Sequence, residues 1–259
     1  MKIKRNAWSI PYIVFLIIFV VFPLILVGIY ALADADGNFT FANVARFFSD
    51  SDALSTLALS LDIAIETTAL CLLIGYPVAW ILANREFNHS GVTIVLFILP
   101  MWMNALIRTL ATAQLFNMLG FTPGRGTLLA GMTYDFLPFM IYPIYNVLLK
   151  TDQSYCEAAA DLGASPFKVF RKVVLPLSMP GVLSGVMMVF MPTVSTFAIS
   201  EFLTNNKIKL FGTIIQENIN SSMWNYGAAL SLLMLIIIGI TAFVATDERD
   251  TEEQGGSAV

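Results

Sequence analysis

Thr151-Asp-Gln-Ser-Tyr-Cys-Glu157-Ala-Ala-Ala-Asp-Leu-Gly163-Ala-Ser-Pro166-Phe-Lys-Val-Phe-Arg-Lys-Val-Val-Leu-Pro176 is a polar stretch set between two long apolar runs. Its residues spell helix signals. Ser154 with Glu157 three residues on reads as a capping box. Ala158, Ala159 and Ala160 propagate the helix, and Gly163 supplies a left-handed stop. Ser165-Pro166 restarts it, with Ser as N-cap and Pro at the first position. Leu175-Pro176 then hands the chain to the next apolar run. The loop 150–176 is therefore expected as two short helices with little apolar surface. Helices this short are marginal alone. From the residues, two readings stand open: insertion into a partner's groove, or an amphipathic connector on a membrane.

Working outward, the chain is strongly apolar. Of 259 residues, 57% are hydrophobic and 12% charged, and the mean hydropathy is +0.76. Soluble domains carry about 25% charged residues, so this composition excludes an ordinary soluble domain. Six apolar runs occur, at roughly 10–32, 57–83, 92–116, 127–149, 177–200 and 226–246, each near the ~20 residues a span needs. The expected fold class is all-α, a polytopic membrane helix bundle of about six transmembrane helices. The run after Lys2, Lys4 and Arg5 shows no small-residue cleavage pattern and reads as a retained first span.

Lysine and arginine orient the bundle. With the N-terminus inside, Lys2, Lys4, Arg5, Arg85, Lys150, Lys168, Arg171, Lys172 and Arg249 lie on inner segments. Arg46, Arg125, Lys207 and Lys209 lie on outer ones. Both termini and the 150–176 loop are thus expected in the cytoplasm of a cell-membrane protein. Expected divisions are 1–55 (first span and outward connection), 56–246 (one membrane domain that carries the 150–176 loop) and 247–259. The last segment, with Asp247, Glu248, Asp250, Glu252 and Glu253, reads as a disordered acidic tail. Pro77, Pro100, Pro138, Pro143, Pro180 and Pro192 sit in or beside apolar runs and imply kinks. Gly75, Gly181 and Gly185 allow close helix approach. Cys71 and Cys156 have no metal-ligand neighbours, His89 lies in a short polar loop, and no metal site is expected.

The loop also resembles a known family. Glu157-Ala158-Ala159, then Gly163, nine residues, and Val173-Val174-Leu175-Pro176 is similar to the EAA motif of ATP-binding-cassette (ABC) importer permeases, with Val173 replacing isoleucine. Further segments are similar to the B-type permease subunit of spermidine/putrescine importers: Gly75-Tyr76-Pro77-Val78-Ala79-Trp80, Leu99-Pro100-Met101-Trp102-Met103-Asn104-Ala105-Leu106-Ile107-Arg108, Leu137 to Tyr145 and Trp224 to Ser231. This resemblance implies the type I ABC importer permease fold. It implies a second permease subunit as heterodimer partner, two copies of a cytoplasmic ATPase, and an extracellular or periplasmic substrate-binding protein, all at membrane lipid and without nucleic acid. Glu157, Ala158, Ala159, Asp161 and Gly163 would contact the ATPase.

The chain holds no G-x-x-x-x-G-K-[ST] string. The expectation is therefore a transport subunit with no catalytic residues and no cofactor of its own, ATP and Mg being bound by the partner ATPase. Intramembrane polar residues are costly and mark candidate paths. Asp62 and Glu66, four apart, share a helix face and either line a path for a cation or sit in the outer headgroup layer. Asp135 either joins that path or pairs with Arg108. Trp102 and Tyr142 either offer cation–π faces, as Tyr134 and Tyr145 would, or pack against lipid and core. A permease for ferric iron or an oxyanion, or a self-sufficient channel or secondary transporter, stands as the alternative.

Overall fold

A computed structural model describes residues 10–34, 36–84 and 92–256, side chains of residue 10 and of 244–256 excepted. Lys2, Lys4, Arg5, Arg85 and His89 lie outside these residues, as do the side chains of the acidic tail. The helices in order are α1 (Pro11–Ala31), α2 (Ala42–Ser49), α3 (Ser51–Ala83), α4 (Val92–Trp102), α5 (Ala105–Met118), α6 (Arg125–Lys150), α7 (Ser154–Asp161), α8 (Pro166–Ser195), α9 (Ala198–Thr204), α10 (Phe211–Asn220) and α11 (Trp224–Gly256).

By length and composition α1, α3, α8 and Trp224–Phe243 of α11 can each cross a bilayer, and α4 with α5 makes a fifth if the bent pair is one span. The fourth apolar run forms α6, which is 26 residues long but diluted by Asp135, Pro138, Pro143 and three tyrosines. It tolerates them because it faces protein: Leu128, Met132, Met140, Ile141 and Ile144 are buried. By contrast, no residue of α1 before Ala31 is buried within the protein, as expected of a helix whose solvent is lipid.

The chain divides into two compact units, 1–55 with 214–240, and 56–213 with 241–259. In the first, Asn225 donates from Nδ2 to the carbonyls of Ala33 (2.7 Å) and Asp34 (2.9 Å). The Tyr226 hydroxyl donates to Asp50 (2.9 Å), and Arg46 lies 4.1 Å from the Tyr226 ring. Asp50 also caps α3 by accepting from the Asp52 and Ala53 amides. The Ala53 amide, then the Tyr226 hydroxyl, hold its carboxyl below the usual carboxylate range.

In the second unit α6 runs between α3 and α8. Small residues permit this. A Cβ on Gly181 would stand 3.0 Å from the Pro143 carbonyl oxygen and Ile144 Cα, and one on Gly185 would stand 2.8 Å from Met140 Sδ. A Cβ on Gly75 would meet Met140 at 3.0 Å from the other side. Glycine here trades side-chain packing for backbone contact.

Three sequence expectations are corrected. The 92–116 run is not one straight span: α4 and α5 meet at 96°. Pro100 lies in the tight turn Leu99–Trp102, and Asn104 caps α5 by accepting from the Leu106 and Ile107 amides. The second loop helix does not end before Pro176; it continues as α8. Finally, α11 runs to Gly256, through most of the segment expected as a disordered tail. No proline or glycine interrupts residues 240–254, so no local signal stops the helix before Gly255.

Candidate functional site

The 150–176 loop follows the end of α6. Gly163 has φ +81°. The Gly163 amide donates to the Ala160 carbonyl (2.8 Å) and the Ala164 amide to Ala159 (3.1 Å). This is the Schellman pattern, and it makes α7 end where the glycine predicts. Its start differs from expectation. Ser154 is the first helical residue rather than the cap. The Asp152 carboxylate accepts the Ser154 amide at 3.0 Å, and that bond holds its carboxyl below the usual range. Ser165 has the extended backbone of an N-cap, with Pro166 next.

α7 has two unlike faces. Cys156 and Ala160 face a groove of about 820 Å³, also lined by Trp80, Leu148, Phe170 and Val174. Burial, then the neighbouring Glu157 charge, push the Cys156 thiol up, so it stays protonated. Away from the groove, Tyr155 (58% exposed) and Leu162 (88%) stand seven apart with Ala158 and Ala159 between them. That i, i+3, i+4, i+7 stripe is the apolar set a helix presents to a partner's groove. Of the motif residues, Glu157, Ala158, Asp161 and Gly163 are exposed and Ala159 is half-buried. Tyr155 and Leu162 were not among the expected contact residues; their spacing was the available signal. At the loop's inner edge, the Phe170 ring meets Tyr76 edge-on at 5.8 Å, and the Tyr76 hydroxyl bonds Ser178 at 2.8 Å.

Asp62 and Glu66 do share one face of α3, but they are not free. Arg125, the first residue of α6, donates from Nη2 to Asp62 (2.6 Å) and to Glu66 (2.7 Å), and from Nε to Glu66 (3.3 Å). All three side chains are partly exposed. A cation at a helix N-terminus opposes the helix dipole; the two carboxylates compensate it. The cluster keeps one net negative charge. Sequence reasoning missed Arg125, although both helices start from the same side of the bundle.

Asp135 pairs with Arg108. Arg108 Nε stands 2.6 Å from Asp135 Oδ1, and both side chains are buried. Thr109 donates to Asp135 Oδ2 at 2.9 Å. Arg108 also donates to the carbonyls of Pro100 (2.6 Å) and Asp135 (3.0 Å). It thus braces the α4–α5 bend against α6, and the Asp135 carboxylate is occupied by protein groups. Trp102 is 87% exposed at that bend, and Tyr142 is 42% exposed on α6. No hydrogen bond or ring contact joins either to the two clusters among the described residues. Along α6, Asp135 and Tyr142 stand about 15 and 25 Å beyond Arg125. The candidates thus lie at successive depths instead of forming one pocket.

Residues 6–247 match the family described as binding-protein-dependent transport system inner membrane component. The spermidine/putrescine transport system permease protein PotB of Shigella flexneri is 32% identical over 253 residues, covering 88% of this chain and 92% of that one. The PotC permease protein of the same organism is 25% identical over 223 residues, covering 85% and 84%. Among solved structures, a bacterial ABC transporter involved in import of the acidic polysaccharide alginate superposes with TM-score 0.67 at 16% identity, covering 95% of this chain and 98% of that one.

Proposed function

Because the chain belongs to the inner-membrane components of binding-protein-dependent transport systems and is a permease subunit of an ABC importer, we propose that it forms half of a translocation path for polyamines. The observation that carries this reading is the 32% identity to PotB across 88% of the chain. Similarity to both permease proteins of one relative's system supports a heterodimer, with a second permease supplying the other half. Two cytoplasmic ATPase subunits, which bind ATP and Mg and perform hydrolysis, and a binding protein on the outer side complete the assembly.

Both termini and the 150–176 loop face the cytoplasm in this reading, following the lysine and arginine bias. α7 then inserts its Tyr155–Leu162 stripe into a cleft of the ATPase, with Glu157, Ala158, Ala159, Asp161 and Gly163 at the contact. ATP-driven closure of the two ATPases moves α7. α8 continues from the loop into the membrane, so the motion reaches the crossing with α6 at Gly181 and Gly185. On the outer side, Asp62 and Glu66 with Arg125 present a net negative cluster to an arriving ammonium. Trp102 and Tyr142 offer aromatic faces further along, while Asp135 acts structurally through Arg108.

Uptake of labelled spermidine and putrescine into vesicles holding the full complex tests this reading. Uptake is expected, with excess sulfate or ferric ion not competing. Exposed ion contacts contribute about 0.2–1 kcal/mol. Asp62→Asn and Glu66→Gln should therefore each lower uptake at limiting substrate by up to about fivefold. Unchanged uptake in both variants removes the acidic cluster from the path; no uptake by the parent complex removes the polyamine assignment.

A further inference from the structure

Lys168, Arg171 and Lys172 lie on the first turns of α8, outside everything assigned above. All three are exposed, and none is in an ion pair among the described residues. At about 100° per residue they fall within an arc of roughly 100°. The opposite side of the same turns, Pro166, Val169, Phe170 and Val174, lines the groove beneath α7. The cations therefore face away from the protein.

Their depth follows from the helix that carries them. Pro166–Ser195 is 30 residues long, about 45 Å, against a hydrocarbon core of about 30 Å. Residues 173–195 contain no charged side chain and alone extend about 34 Å. They fill the core, and most of the excess lies at the 166–172 end. This puts the three cations in the headgroup layer. Phe167, 71% exposed beside them, offers an apolar ring to the lipid there. A protein partner fits less well: the apolar stripe for the ATPase is on α7, whereas the basic arc is on the span itself, one residue from where its charge-free stretch begins.

We infer that Lys168, Arg171 and Lys172 form a docking surface for anionic lipid headgroups, which anchors the junction between the coupling loop and the fifth span. The inference rests on the cytoplasmic placement of the loop. Anchored there, α8 pivots at the membrane surface when α7 is moved, and the displacement enters the bundle instead of sliding the helix along the bilayer. Each basic residue near an anionic surface favours association by about fivefold.

The test uses the full complex in phosphatidylcholine vesicles with and without phosphatidylglycerol, reading ATP hydrolysis and spermidine moved per ATP. The parent should couple several-fold better with phosphatidylglycerol. The Lys168→Gln/Arg171→Gln/Lys172→Gln variant should behave the same in both vesicles, at the parent's phosphatidylcholine level. Lys168→Arg/Arg171→Lys/Lys172→Arg should keep the lipid response. A glutamine variant impaired equally in both vesicles assigns the cations to the ATPase and overturns the proposal. So does a variant that retains the full response. Lipid-dependent hydrolysis without spermidine movement keeps the anchor and removes only the substrate assignment.

Discussion

At the residue scale, Arg108 and Asp135 show why a buried charge is weak evidence for a substrate site. Each finds its counter-charge inside the protein at 2.6 Å, and Arg108 directs two further donors to the Pro100 and Asp135 carbonyls. Removing one partner leaves the other charge uncompensated in a low dielectric, which costs about 3–5 kcal/mol, whereas replacing both is often near neutral. Arg108→Met and Asp135→Leu should each lower the thermal midpoint of the detergent-solubilised subunit markedly. The double variant should recover part of the loss. If the singles melt with the parent, the pair does not brace the bend. The sequence showed both charges but left open whether they met, because pairing across α5 and α6 depends on the 96° break. Arg125 was missed for the same reason: its partners lie 59 and 63 residues away.

At the element scale, the 150–176 loop was the most legible part of the chain, because its signals are local. Gly163 ends α7 as its position predicts, with φ +81°. No atom stands within 4 Å of an added Cβ, so a substitution meets backbone strain and no crowding. Left-handed backbone costs an L-residue about 1–2 kcal/mol, and a β-branched residue more. Gly163→Ala should therefore reduce spermidine moved per ATP modestly and Gly163→Val severely, with the assembled complex still isolable. Equal coupling in Gly163→Val and the parent would remove the turn from the mechanism.

The start of α7 was misplaced because Asp152 competes with Ser154: its carboxylate accepts the Ser154 amide, which leaves Gln153 at the N-cap position and Ser154 inside the helix. The continuation of α8 through Pro176 has a physical reason. The Leu175 amide bonds Phe170 five residues back, a π turn. Proline's missing donor thus falls where the bonding has already shifted. α1 repeats the device: Phe22 bonds Ile17, and Pro23 follows. In both places a π turn directly before the proline lets the helix pass.

For the whole molecule, the number of apolar runs was legible because lipid imposes length and composition on each span. Which run becomes the central helix was not, since burial by protein relaxes that demand for α6. In the proposed mechanism, motion would pass along backbone contacts. α7 joins α8 through a four-residue connection, and α8 crosses α6 where Gly181 and Gly185 admit Pro143, Ile144 and Met140. A Cβ at Gly181 meets main-chain atoms at 3.0 Å and can be accommodated only by moving α8 away from α6. At Gly185 the nearest atom is the flexible Met140 sulfur, with the Met140 carbonyl oxygen at 3.1 Å. Overpacking of this kind costs about 1–3 kcal/mol. Gly181→Leu is thus expected to lower the thermal midpoint and to uncouple hydrolysis from uptake even where the complex assembles. Gly185→Ala should be the milder lesion, and Gly185→Ala with Met140→Ala should regain coupling because the shortened side chain gives back the space. If the double variant couples no better than Gly185→Ala alone, motion reaches the path by another route than this crossing.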